Sequence, residues 1–151
     1  MDIDFDFFDP KEIDFHGNKS LLKQAFSEDA ETINLSELSD LIIAQKQVGS
    51  TVKVSEDGED DPYALMTVIN VQEHADKSSI QGFKNYLLER IAGSKQTEAV
   101  EKFKNLLEST NGKPLGWLVN EHLINVPAQL VPPMVKMLVE ELGWAVDDVR
   151  D

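Results

Sequence analysis

The sequence contains no cysteine. Disulfide bridges, thiolate metal sites, iron–sulfur ligation and thiol nucleophiles are therefore excluded at once. Positive charge is scarce as well: 14 Lys plus Arg stand against 28 Asp plus Glu, a formal net charge of −14. A field of that sign repels phosphate backbones and anionic headgroups, so direct nucleic-acid or membrane binding is not expected and a basic protein is the favoured partner. No apolar run approaches the roughly 20 residues that span a bilayer. The opening MDIDFDFF lacks the basic region and apolar core of a signal peptide, which makes an intracellular home the default expectation. Nucleophile-elbow, P-loop, Rossmann and kinase signatures are all missing, so the case for an enzyme starts weak.

What is present suffices for one domain: 151 residues, 41% of them hydrophobic, can bury a real core. Ile3, Phe5 and Phe7 alternate with Asp2, Asp4 and Asp6, the period-two pattern of a strand with one acidic, solvated face. A helix is expected near 18–26 from the stripe Leu21, Leu22, Ala25 and Phe26, followed by a polar loop over 27–33. Asn34 can cap the next helix, with Glu37 in capping-box position and an end near Gln45. Ser50–Val54 and Leu65–Val71 read as an antiparallel hairpin around the acidic connection SEDGEDDPYA. Two further helices start near Ser79 and Thr97, punctuated by Gly93 and Asn111-Gly112. The stretch from Pro114 to Gly143 then organises the rest. Leu115 to Val126 suggests a central strand with a bulge or bend at Asn120–His122. Pro132 and Pro133 suit a helix start, and Gly143 supplies its stop. The order is β-α-α-β-β-α-α-β-α, a mixed α/β class in a single domain over 1–151.

Few residues carry chemistry. Glu56, Asp57, Glu59, Asp60 and Asp61 surround Gly58 without the ligand spacing of a calcium loop, and a flexible acidic contact for a basic protein is the sharper reading. His16, His74 and His122 lie too far apart to suggest a metal site. Glu121 beside His122 is a candidate general base at the expected bulge, although such pairs are more often structural. Trp117 reads as core, and Trp144, just past the expected helix stop, as a surface anchor for a partner.

Read in order, IDFDFFD at 3–9, DFHGNKSLLKQAF at 14–26, VGSTVKV at 48–54, DPYALMTVIN at 61–70 and INVPAQLVPPMVKMLVEEL at 124–142 resemble the BCCIP family, especially its fungal members. The resemblance implies a fold similar to the N-terminal part of GCN5-related acetyltransferases, without the acetyl-coenzyme A site and with no cofactor. It implies a non-enzymatic adaptor or chaperone of nucleus and cytoplasm that escorts a basic large-subunit ribosomal protein. It also implies roles in ribosome biogenesis and in nuclear export, with a phosphoinositide kinase and transport factors as further partners. The expected contacts are Asp2, Asp4, Asp6, Glu56, Asp57, Glu59, Asp60, Asp61 and Trp144. Family members typically continue well beyond the last helix here, and the resemblance fades over GWAVDDVRD at 143–151, so a chain incomplete at its C-terminal side is expected. The alternative is a degenerate acyltransferase using Glu121 or His122. Its nearest cofactor-loop match, Arg90-Ile-Ala-Gly93-Ser-Lys95, ends in lysine and falls at a helix end rather than a helix start.

Overall fold

Four strands pair in chain order as an antiparallel sheet: β1 (Asp6–Phe8), β2 (Ser50–Lys53), β3 (Ala64–Asn70) and β4 (Gly116–His122). The computed structural model describes residues 3–108 and 113–150, the side chains of 148–150 excepted. Between the strands run α1 (Phe15–Phe26), α2 (Leu35–Ala44), α3 (Ser78–Ile91) and α4 (Thr97–Glu108), and α5 (Val131–Arg150) closes the order. The mixed α/β class and the expected succession of elements both hold.

Strand alternation sends residues to two separate cores. Leu65 and Ile69 of β3 and Val119 of β4 meet Leu21 and Leu22 of α1, Leu38 and Ile42 of α2, and Ile80 of α3. On the opposite face Val52, Ala64 and Met66 meet Met134 and Leu138 of α5, with Phe5 and Phe7 packed against them. Among the described residues the result is three layers: helices α1 to α3 on one face, the sheet, and α5 on the other. Phe83 of α3 stacks on Trp117 at a centroid distance of 3.5 Å, while Phe26 meets both rings edge-on, so one aromatic cluster ties α1, α3 and β4 together.

Several expectations need correction. β1 is only three residues long, and Ile3 lies outside it and is exposed; the Phe8 ring sits over the Lys53 ammonium and against Gly58. α1 begins at Phe15, three residues before the expected start, and a 3-10 segment over Ser27–Thr32 replaces the polar loop. Asn34 does cap α2, accepting from the Glu37 N–H at 3.2 Å, but no reciprocal box forms. The Glu37 carboxylate instead accepts from the N–H and Oγ of Ser79, both at 2.8 Å, fastening α2 to the start of α3, and these bonds, the backbone one foremost, hold its pKa below the usual range. Gly143 does not stop α5, which continues to Arg150; a helical glycine costs about 1 kcal/mol, too little to end a helix whose apolar stripe runs on to Val146. The Asn111-Gly112 stop lies outside the described residues.

The largest correction concerns β4. It pairs with β3 over seven consecutive positions, Ala64↔His122 through Asn70↔Gly116, with no bulge, and β3 is its sole partner among the described residues. It is an edge strand rather than a central one. Leu118 on its α5 face is 55% exposed, and Ile124 just beyond it is 99% exposed. Val135, Val139, Leu142 and Val146 form a second, uncovered stripe along α5. An apolar strand with both faces hydrophobic gives the central-strand pattern whatever lies along its edge.

Candidate partner-binding surface

The acidic connection between β2 and β3 is held in place from inside. Lys53, 1% exposed in its side chain, points from β2 into the protein, where its Nζ lies 2.7 Å from Asp14 Oδ1 at the start of α1 and donates to the Gly58 carbonyl at 2.6 Å. The Asp14 carboxylate also accepts from the Lys11 N–H at 2.9 Å. Gly58, at φ +71°, adopts a backbone conformation that favours glycine, and a Cβ there would meet the Phe8 ring at 2.8 Å. From the other side Pro62 rests on α1 so closely that a Cβ on Gly17 would lie 2.5 Å from its Cδ.

Asp60 is the latch of this loop. Its Oδ2 accepts from the N–H groups of Val54 and Ser55 at 3.0 and 3.3 Å, and its Oδ1 from Ser55 Oγ at 2.5 Å. Partial burial pushes its pKa up, but the three bonds to the charged form together outweigh that and hold it below the ordinary carboxylate value. A lowered carboxylate pKa contributes stability that is present above the unfolded value and lost as pH falls through the folded one. Asp60→Ala is therefore expected to cost about 1–2 kcal/mol at neutral pH, with the difference from wild type shrinking below about pH 4, as urea unfolding at a series of pH values would measure. A pH-independent difference would assign the loss to packing instead.

The remaining acids of the loop face water. Glu56, Asp57, Glu59 and Asp61 are exposed, and so are Asp4 and Asp6. The register brings these groups together, because Asp6 lies opposite Lys53, the residue that leads into the loop. The Glu59 N–H donates to Asp57 Oδ1, which holds that carboxyl below its usual range. The loop thus forms an acidic corner in which Asp60 is bonded internally and its neighbours are presented outward. Asp2 lies outside the described residues. Trp144 is not at this corner: it sits within α5, 57% exposed, and faces the other end of β1 across a cleft.

Glu121 and His122 do not form a catalytic pair. Successive strand residues point to opposite faces, so Glu121 lies half-buried on the α1 side, its pKa raised by burial, while His122 is exposed on the other. Gly93 and Lys95 follow the C-terminal end of α3, where backbone carbonyls rather than amides point outward, and Arg90 is paired with Asp29. Sequence reasoning missed the Lys53–Asp14 pair, although a lysine between the valines of TVKV was a signal for it. It also missed Glu141, whose partners lie some ninety residues away in sequence.

No helix among the described residues is long and apolar enough to cross a membrane. The BCCIP family model matches residues 1–151, including the GWAVDDVRD segment over which the resemblance was expected to fade. Protein bcp1 of Emericella nidulans is 46% identical over 149 residues, covering 98% of this chain and 50% of the relative. Protein bcp1 of Schizosaccharomyces pombe is 45% identical over 149 residues, covering 98% and 52%. The crystal structure of BCP1 from Saccharomyces cerevisiae superposes with a TM-score of 0.76 at 30% identity, covering 97% of this chain and 59% of that one. The chain spans about half the length of the curated relatives it matches. On a family match over its whole length and these relatives, the chain belongs to the BCCIP family.

Proposed function

We propose that this chain is a non-enzymatic binding module that escorts and shields a basic client, a large-subunit ribosomal protein in the reading that its family resemblance favours. The ordered acidic corner carries this reading: Asp4, Asp6, Glu56, Asp57, Glu59 and Asp61 stand outward on a strand end and a loop fixed by the buried Lys53–Asp14 pair. Carboxylates held in place steer a cationic partner without the entropy cost of ordering them at encounter, and they cover the positive surface that would otherwise bind nucleic acid. Movement between nucleus and cytoplasm, a part in ribosome biogenesis, and contacts with a phosphoinositide kinase or transport factors belong to the same proposal, and rest on the family resemblance.

The test changes the outward acids and spares Asp60. With Glu56→Gln, Asp57→Asn, Glu59→Gln and Asp61→Asn combined, stopped-flow capture of a basic large-subunit ribosomal protein at low salt is expected to slow about tenfold or more, with a flatter salt dependence. A variant that captures the client at the wild-type rate and with the wild-type salt slope would overturn the role of the corner.

A further inference from the structure

We propose that the cleft between β1 and the C-terminal half of α5 binds the guanidinium of an arginine side chain presented by a basic protein. This inference rests on the basic-client reading and gives it a second, chemically specific contact. The cleft measures about 490 Å³, with Phe7, Met137 and Trp144 among its walls and Asp9 and Glu141 as its carboxylates.

Its walls and floor differ in kind. Glu141 is 5% exposed and is fixed in place, accepting from the Gly49 N–H at 2.5 Å and from Ser50 Oγ at 2.9 Å. Each of its oxygens thus takes one donor, and an ionised carboxylate accepts about four in all, so acceptor capacity remains toward the cleft. Asp9 is exposed at the mouth. Neither acid has an ion-pair partner among the described residues, although Lys46 is one of the residues that line the cleft. Burial pushes the Glu141 carboxyl up from its usual value, and the charge of Asp9 adds to that push in spite of the two hydrogen bonds. Among the described residues the two carboxylates thus face the cleft without an ion-paired cation.

Among biological cations a guanidinium fits best. Its planar face stacks on an indole, and its forked donors reach two acceptors at once; an ammonium is a more strongly hydrated point charge. Trp144 is exposed on one wall and free to take that face. Both Asp9 and Trp144 are surface residues, so changing them leaves the core intact.

The experiment titrates the intact chain with a short glycine–arginine peptide and with the same peptide carrying citrulline or lysine, following tryptophan fluorescence and calorimetry. The arginine peptide is expected to bind at least tenfold more tightly than the citrulline peptide, and several-fold more tightly than the lysine one. Trp144→Ala and Asp9→Asn are each expected to weaken it fivefold or more, while the variant neutralised at residues 56, 57, 59 and 61 keeps wild-type affinity for the peptide. Equal binding of citrulline, or wild-type affinity in Trp144→Ala and Asp9→Asn, would overturn the cleft; equal binding of lysine would overturn its assignment to a guanidinium. If the basic client is captured normally by the cleft variants but not by the loop variant, the cleft falls and the acidic-corner reading stands. If the wild-type chain ignores the client but binds the arginine peptide selectively, the cleft stands and the basic-client reading falls.

Discussion

Replacing Lys53 with methionine is expected to destabilise the fold by about 3–5 kcal/mol, as measured by urea unfolding at neutral pH. The methionine fills much the same volume, so the loss is electrostatic: Asp14 is 0% exposed, and without the ammonium 2.7 Å away it is a buried carboxylate with no counter-charge. The Gly58 carbonyl loses its donor in the same step, which loosens the turn at φ +71° and with it the acidic corner. Breaking one side of a buried pair is costly, whereas removing both is not. The double variant Lys53→Met with Asp14→Leu is thus expected to recover most of the stability while still losing the bond to the loop. A single variant as stable as wild type would show that water reaches this pair. The double variant also separates fold from function, because a stable protein with a loosened corner should capture a basic client more slowly.

Phe83→Ala is the second large effect, expected to cost about 3 kcal/mol or a little more. Phe83 lies flat on Trp117, with a 5° angle between the rings, and meets Phe26 edge-on, so its removal opens the seam between α3, α1 and β4 at one point. Two readouts identify the cause. Trp117 emission should shift toward the red as water reaches the indole, and amide hydrogen exchange should quicken in α3 and in the last turn of α1 while α5, on the other face of the sheet, keeps its protection. Uniformly faster exchange would mean that this seam is not a separate unit of stability.

Much of this architecture was legible in the sequence because it rests on local signals. The hydrophobic spacing of α2, the Asn34 cap, the β2–β3 hairpin and the Pro132-Pro133 helix start each depend on residues a few positions apart. What escaped depends on distant partners. Glu37 has the spacing of a capping box, but Ser79 is a better donor pair than its own helix start. Asp60 is indistinguishable by type from the four acids around it, and only the fold shows that its oxygens are used internally. The candidate surface was therefore legible as composition and not as geometry: the charge could be read, but not which carboxylates are spent on the loop itself. The edge position of β4 was hidden for a related reason, since the sequence of a strand does not record what lies beside it.

The bare edge of β4 gives the acidity a colloidal meaning. Seven residues of backbone without proline, lysine or bulge, unpaired on one side among the described residues, make a surface onto which another strand can pair. Mutual repulsion between chains carrying a formal charge of −14 opposes such pairing. That barrier vanishes near the isoelectric point of about 4.5 and is thinned by salt at any pH, and the proposed cationic client, by neutralising one corner, would lower it as well. On the proposed function, solubility and client capture would draw on the same charge, and a saturated complex would stand closer to association than either free partner.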